Sequence, residues 1–153
     1  LLSRWLDINF INLGFSGSAR AEDKMIDYIK KLDMSVFVYD YDHNAPDAEH
    51  LLKTHEKMFR EIRMENPNLP IIIMPRPKYY LTPDEKKRNN IVKTTYDNAI
   101  KAGDKNVYFI SGRQLMSVAK DEGTVDNCHP NDLGFASMAK ALIKLIKKHN
   151  ILK

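Results

Sequence analysis

Cysteine, tryptophan and long apolar runs are scarce in this chain. Its 153 residues include one cysteine, Cys128, and one tryptophan. A lone cysteine cannot close a disulfide within the chain, and it says little about the redox compartment. No apolar run approaches the roughly 20 residues that a membrane-spanning helix needs. The sequence therefore predicts neither a disulfide-rich mini-protein nor a membrane-spanning one.

An excess of charge of one sign is also missing. The chain carries 24 basic and 20 acidic residues, which gives a net charge of +4. The lysines are scattered, and small clusters such as 86–88 and 147–148 are typical of a solvated helix face. We therefore predict no nucleic-acid partner and no membrane partner. With 43% hydrophobic and 29% charged residues, the composition is that of an ordinary globular protein.

The N-terminus looks like the middle of a helix. Residues 1–6 read LLSRWL, with no initiator methionine and no capping residue ahead of them. We expect the chain to begin inside a larger gene product, and to form one N-terminally incomplete domain over residues 1–153. A targeting segment would then lie upstream of Leu1, so the sequence predicts no localisation.

Strand-like and helix-like segments alternate along the chain. The hydrophobic patterns predict strands at residues 8–15, 35–42, 71–74 and 107–110. They predict helices at residues 21–32, 47–64, 82–103 and 131–149. Apolar strands separated by helices indicate a parallel sheet that is covered on both faces. The sequence thus predicts an α/β fold, a three-layer α/β/α sandwich with a flavodoxin-like sheet and right-handed crossovers.

Three loops of this predicted fold concentrate polar and glycine residues. In parallel α/β sheets, ligands bind beyond the carboxyl ends of the strands. Two of the loops follow predicted strands, and the third precedes the last predicted helix. The three loops read GFSG at 14–17, DYDHNAP at 40–46 and DNCHPN at 126–131. We therefore expect the functional residues in these three segments.

The three loops resemble three of the four motif blocks of the SGNH (GDSL-type) esterase family. The sequence NLGFSG at 12–17 is similar to the second block, and Asn44 stands where the third block has its asparagine. Asp126-x-x-His129, followed by proline and asparagine, is similar to the fifth block. The third block departs from the family's usual Gly-x-Asn-Asp, since residues 42–45 read DHNA. The ordered blocks span nearly the whole chain.

This resemblance implies a serine-type ester hydrolase that removes an acyl group, such as acetyl, by acyl transfer. His129 would be the general base and Asp126 would orient it. The Gly17 amide and the Asn44 side chain would form the oxyanion hole. The resemblance implies a small-molecule or carbohydrate ester as substrate, and neither a metal nor an organic cofactor.

The family's block with the serine nucleophile has no match in the chain. Ser16 imitates a nucleophile turn, but only 15 residues precede it, too few for a strand and a crossover helix in addition to that turn. We therefore expect the nucleophile upstream of Leu1, with Ser16 as the runner-up. The family's first strand is expected to be missing too. An upstream segment or a second chain would supply it between the strands at 8–15 and 35–42.

Simpler interpretations stay open for each candidate residue. Asp126 and His129 could only cap the last helix, and Asn44 and Gly17 could be plain turn residues. A metal site is disfavoured because no recognised ligand spacing connects the candidate residues Asp40, Asp42, His43 and His129.

Two other classes of function compete with the esterase. One is a non-catalytic or degenerate α/β domain that binds a carbohydrate or ester ligand. A serine in a Gly-x-Ser turn upstream of Leu1 would favour the enzyme over this binding domain. The other is a flavodoxin-like nucleotide binder, which is disfavoured because no phosphate-cradling glycine loop precedes a helix at the expected spacing.

Overall fold

The apolar run Ile71–Met74 forms the central strand of a parallel sheet. The computed structural model describes residues 1–152, and all four side chains of this strand, β2, are buried. Strands β1 (Phe37–Asp40) and β3 (Val107–Phe109) pair with β2 on either side, both parallel to it. Burial of a strand on both faces requires a continuous apolar sequence, which explains why four consecutive apolar residues lie here.

Three helices accompany the sheet in sequence. They are α2 (Asp23–Ile29), α3 (Ala48–Glu65) and α4 (Pro83–Lys101). Helix α4 begins with a capping box, in which Thr82 and Glu85 satisfy each other's backbone N–H groups, and α3 and α4 pack together. The predicted α/β class with a parallel sheet is confirmed. The predicted helices form with shorter or slightly shifted bounds. The strand predicted at 71–74 forms with the predicted bounds, and those predicted at 35–42 and 107–110 are shorter.

The strand predicted at Ile8–Phe15 is wrong. Residues 8–13 adopt no regular secondary structure, and Phe10 and Ile11 are 70% and 59% exposed. The segment then enters a 3-10 turn at Phe15–Gly17. A strand is stabilised by hydrogen bonds to a neighbouring strand, and within residues 1–152 no strand of the sheet pairs with this segment. The expectation of a missing strand beside it stays a prediction.

The chain divides into two compact units. The sheet unit comprises residues Gly14–Arg76 and Thr82–Phe109, and it contains all three strands. The second unit, here the His129 unit, comprises Leu1–Leu13, Pro77–Leu81 and the residues from Ile110 onward. The assignment of residues 1–153 to a single domain therefore stays a prediction. None of the helices within residues 1–152 is long and apolar enough to cross a membrane.

The His129 unit is built on the last helix. Its helices are α1 (Leu2–Leu6), α5 (Gly112–Leu115) and α6 (Asp132–Lys148), with a 3-10 turn at Lys120–Gly123. The inward face of α6 is formed mainly by small residues and two aliphatic ones, Gly134, Ser137, Ala139, Leu142 and Ile146. Phe135, which follows Gly134 directly, is 50% exposed.

Close approach of two backbones explains why a glycine, Gly134, lies on the buried face of α6. A Cβ atom placed on Gly134 would lie 2.0 Å from the carbonyl oxygen of Gly123 in the 3-10 turn. Any side chain at this position would push the turn away from α6. Nearby, the buried hydroxyl of Ser137 donates to the Leu115 carbonyl at 2.7 Å, which satisfies an orphan carbonyl at the end of α5.

A buried histidine links α3, α4 and the sheet. His55 is fully buried, and its imidazole stacks on the ring of Tyr39 with a centroid distance of 4.4 Å. Its Nδ1 shares a hydrogen bond of 2.8 Å with the hydroxyl of Thr95, whereas its Nε2 has no partner within residues 1–152. Burial lowers the pKa of His55 to about 3, because the charged imidazolium would lose its hydration.

Replacing Gly134 by alanine should destabilise the protein. At an ordinary helix position the change from glycine to alanine stabilises by roughly 0.5–1 kcal/mol. Here the clash with Gly123 should reverse the sign, with a loss of roughly 1–3 kcal/mol. Urea unfolding measures the change, with the exposed α6 position Lys140→Ala as the control. An increase in the free energy of unfolding would contradict the close contact.

The free energy of unfolding should depend on pH through His55. In the unfolded chain a histidine has a pKa of about 6.5, so protons bind the unfolded state preferentially between that pH and the folded-state value. The contribution of His55 to the free energy of unfolding is therefore complete above about pH 6.5. Below that pH it falls by up to about 1.4 kcal/mol per pH unit. Urea unfolding of the wild type and His55→Phe at pH 7, 6 and 5 tests this. The variant should show a flatter profile than the wild type.

Candidate functional site

A short closed loop presents His129. Thr124 and Pro130 form an antiparallel bridge, and the amide of Val125 donates to the His129 carbonyl at 3.0 Å. The amide of Asn131 donates to the Gly123 carbonyl, also at 3.0 Å, which ties the end of the loop to the turn that packs on Gly134. The loop geometry is thus fixed from both ends before helix α6 begins.

Asp126 and His129 form a hydrogen-bonded pair at the surface. The His129 Nδ1 lies 2.6 Å from Asp126 Oδ2, and the side chains are 76% and 50% exposed, respectively. Asp126 Oδ1 also accepts the backbone amides of His129 at 2.7 Å and Cys128 at 3.0 Å. The pKa of Asp126 is lowered to about 2. The largest cause is the hydrogen bond from the backbone amide of His129, followed by that from the His129 side chain, and the amide of Cys128 contributes less. The carboxylate is therefore ionised at neutral pH and held in one orientation.

The interpretation that Asp126 and His129 only cap the last helix is wrong. Asn131 is the N-cap of α6, and its side chain accepts the amide of Gly134 at 2.9 Å. Pro130 precedes this cap and takes part in the bridge with Thr124. The Asp126 carboxylate instead binds the loop that contains His129. The i, i+3 spacing of the two residues in the sequence therefore indicated a real side-chain pair.

Asn44 lies in a 3-10 turn, Asp42–Asn44, directly after β1. Its backbone amide donates to the Tyr41 carbonyl at 3.0 Å. Its side-chain Nδ2 donates to the Gly14 carbonyl at 3.4 Å. The segments that resemble the second and third motif blocks therefore contact each other within the sheet unit. A primary amide has two N–H groups, so the hydrogen bond to Gly14 leaves one for a ligand.

The turn that carries Asn44 is anchored by a buried ion cluster around Asp42. Asp42 is fully buried. Its Oδ2 accepts a hydrogen bond from the backbone amide of Arg76 at 3.1 Å and another from Arg76 Nε at 3.2 Å. Arg88 Nε reaches the other carboxylate oxygen at 2.8 Å. Burial by itself would raise the pKa of Asp42, but the hydrogen bonds and charges of Arg76 and Arg88 hold it below its usual range. Asp42 is thus a structural anion.

Arg88 extends the anchor to the backbone of the turn. Its Nη2 donates to the carbonyl oxygens of Asp42 and Ala45, and it is only 4% exposed. Arg76 also pairs with Glu85 at 3.5 Å. No local sequence pattern indicates this cluster, because Arg88 is 46 residues from Asp42 and lies among exposed basic residues of α4. Arg76, two residues after the end of β2, was the available signal.

The turn with Ser16 and Gly17 has an unusual backbone. Three consecutive residues, Phe15, Ser16 and Gly17, have φ angles of 47°, 46° and 84°. Left-handed backbone is costly for residues with a side chain, and such strain is often found at functional sites. Glycine suits the third position, and no heavy atom lies within 4 Å of where its Cβ would be. Gly17 is thus an exposed residue with open space on its Cα side.

The four predicted site residues are divided between the two units. Gly17 and Asn44 lie in the sheet unit, and Asp126 and His129 lie in the His129 unit. Their arrangement in one cleft stays a prediction. In the described part of the chain, no group of three or more histidine, cysteine, aspartate or glutamate side chains could hold a metal ion.

An α/β fold with an aspartate-oriented histidine on a loop is an arrangement found in hydrolases that use histidine as a base. The model of the GDSL-like Lipase/Acylhydrolase family matches residues 1–147. The chain therefore belongs to this family. No curated protein matches the chain.

Three solved structures share the fold. A candidate GDSL-like lipase from Bacteroides ovatus is 30% identical with a TM-score of 0.85, over 99% of this chain and 47% of its own. A salicylyl-acyltransferase from a tetracycline biosynthetic pathway is 16% identical with a TM-score of 0.79, over 99% and 48%. A family two carbohydrate esterase from Clostridium thermocellum, in complex with cellohexaose, is 22% identical with a TM-score of 0.59, over 80% and 38%. The chain thus spans about half the length of the first two structures.

Removing the Asp42 carboxylate should strongly destabilise the protein. The variant Asp42→Ala leaves two arginines without their shared anion, and breaking a buried ion pair from one side costs roughly 3–5 kcal/mol. The control is Asp97→Ala, which removes a partly exposed pair with Lys93 and should cost at most about 1 kcal/mol. Chemical unfolding of both variants gives the comparison. Equal losses would show that the Asp42 cluster is not an anchor.

Proposed function

We propose that the intact protein is a GDSL-type ester hydrolase that removes a short acyl group, such as acetyl, by serine-type acyl transfer. The observation that carries the proposal is the hydrogen-bonded pair of Asp126 and His129. Membership of the GDSL-like family and the fold shared with an acyltransferase and a carbohydrate esterase support the same chemistry.

The orientation of His129 suits a general base. Its Nδ1 is engaged by Asp126, so Nε2 is the nitrogen that can accept a proton from a nucleophile. The ionised Asp126 stabilises the imidazolium that forms when the proton is taken. Because the His129 side chain is 76% exposed, a serine hydroxyl and a substrate can reach it. Asp126 is fixed by two backbone amides, so it can hold the ring without moving.

The proposed reaction has two halves. In the first, His129 Nε2 takes the serine proton while the serine oxygen attacks the ester carbonyl, and the protonated His129 then returns the proton to the leaving alcohol. In the second, a water molecule repeats the steps and releases the carboxylic acid from the acyl-enzyme. The amide of Gly17 and the second N–H of Asn44 would stabilise the oxyanion in both halves.

The nucleophile in this proposal is a serine upstream of Leu1. The corresponding strand would come from that upstream segment or from a second chain, and it would complete one domain with residues 1–153. Ser16 is the alternative nucleophile, and its strained backbone is the observation in its favour. No metal or organic cofactor is required for the proposed steps.

The proposed substrate is an acylated carbohydrate. The solved carbohydrate esterase with cellohexaose shares the fold of this chain, which motivates a sugar as the alcohol part of the ester. The competing function is a degenerate domain that binds a carbohydrate or ester without hydrolysing it. The two differ in whether the full-length protein turns over an activated ester.

In the full-length protein, His129→Ala should lower the kcat for p-nitrophenyl acetate by roughly 10³-fold or more, because the general base is lost. Asn44→Ala should lower kcat by roughly 10²–10³-fold with a smaller effect on KM, because an oxyanion donor acts mainly in the transition state. The control is His149→Ala at the exposed end of α6. Circular dichroism checks that the variants fold. Wild-type turnover in both variants would refute the mechanism, and an inactive wild type would favour the binding domain.

A further inference from the structure

Two adjacent tyrosines lie on the segment Pro77–Leu81, which belongs to the same unit as His129. The preceding residue, Lys78, donates from its Nζ to Asn127 Oδ1 at 2.9 Å. Asn127 follows Asp126 directly and has a left-handed φ of 64°. The tyrosine segment is therefore attached to the loop that presents the candidate catalytic pair.

Tyr79 is held from the side of helix α5. The guanidinium of Arg113 lies 4.8 Å from the centroid of the Tyr79 ring, and its Nη2 donates to the Tyr79 hydroxyl at 3.3 Å. Arg113 lies in the first turn of α5, which begins with a capping box between Ser111 and Gln114. A cation–π contact and a hydrogen bond together restrict the rotation of the Tyr79 ring.

Tyr80 is the exposed member of the pair. Its ring packs edge to face on Tyr79, with a centroid distance of 5.0 Å and an interplanar angle of 81°. Nevertheless, 68% of the residue is exposed. An aromatic ring that is fixed by a neighbour and still open to solvent can bind a ligand with little further loss of conformational entropy.

We propose that Tyr80, supported by Tyr79 and Arg113, forms a platform on which the sugar ring of the ester substrate stacks. This inference rests on the proposed function and specifies how the alcohol part of the substrate is bound. A sugar ring has a face of C–H groups that packs on an aromatic ring and hydroxyls at its edge that need hydrogen bonds. Tyr80 offers the ring, and Arg113 has five N–H donors, of which one is used by Tyr79.

The position of the platform favours a sugar over other occupants. The platform is attached through Lys78 and Asn127 to the loop in which His129 would act on the ester. An acylated sugar offers a ring to Tyr80 and an ester to His129. A protein partner requires an apolar patch wider than a single ring, and it is one outcome of the test.

The test compares two substrates in the full-length protein. The variants are Tyr80→Ala and Tyr80→Phe, with Tyr28→Ala as the control because Tyr28 is 51% exposed on α2 in the sheet unit. The ratio of kcat/KM for acetylated cellohexaose to that for p-nitrophenyl acetate should fall roughly tenfold in Tyr80→Ala. Tyr80→Phe keeps the ring and should retain most of the ratio, and Tyr28→Ala should retain all of it. An unchanged ratio in Tyr80→Ala overturns the platform.

Calorimetric titration with unmodified cellohexaose separates this proposal from the proposed function. If the wild type hydrolyses neither ester, the esterase proposal fails, and the titration alone decides the platform. Binding that weakens roughly tenfold in Tyr80→Ala but not in Tyr28→Ala supports it. Absence of binding by the wild type, or equal binding by the two variants, overturns it. So does a change in oligomeric state on size-exclusion chromatography in Tyr80→Ala alone, since the ring would then serve a protein contact.

Discussion

The buried charge of Asp42 is the constraint on which the sheet unit depends. A carboxylate without access to water must be paired, and Arg76 after β2 and Arg88 in α4 supply the pairing. Three separate parts of the chain, the end of β1, the end of β2 and the first half of α4, therefore have to meet at one point. Asn44 follows in the same turn, so its position is a consequence of this electrostatic requirement.

The His129 unit is organised by a steric constraint instead. Gly134 and Gly123 allow the last helix and the preceding 3-10 turn to approach until no side chain fits between them. The loop of His129 starts at this turn and ends at the N-cap Asn131, so both ends are defined by the contact. The two parts of the candidate site are thus held by different interactions. An ion cluster positions the residues in one unit, and close backbone packing positions those in the other.

The candidate chemistry is concentrated in exposed groups that have rigid supports. His129 is exposed but is oriented by Asp126, and Tyr80 is exposed but is held by Tyr79. Preorganisation of this kind lowers the entropic cost of binding a ligand. The strained turn at Phe15–Gly17 fits the same pattern, because its conformation is one that most residues avoid. The fold and the family show a GDSL-like protein, and these local arrangements motivate the proposed esterase.

The sequence by itself determined the features that depend on near neighbours. The apolar run 71–74, the capping chemistry at Thr82 and the pair of Asp126 and His129 are all set within a few residues, and the structure contains each of them. Tertiary structure decided the rest. Residues 8–13 form no strand, because a strand depends on a neighbouring strand. Gly134 lies on the buried face of α6, where the carbonyl of Gly123 leaves no room for a side chain. Asp42 acts as a structural anion only because Arg88 pairs with it, and the two residues are too far apart along the chain to form a local sequence pattern.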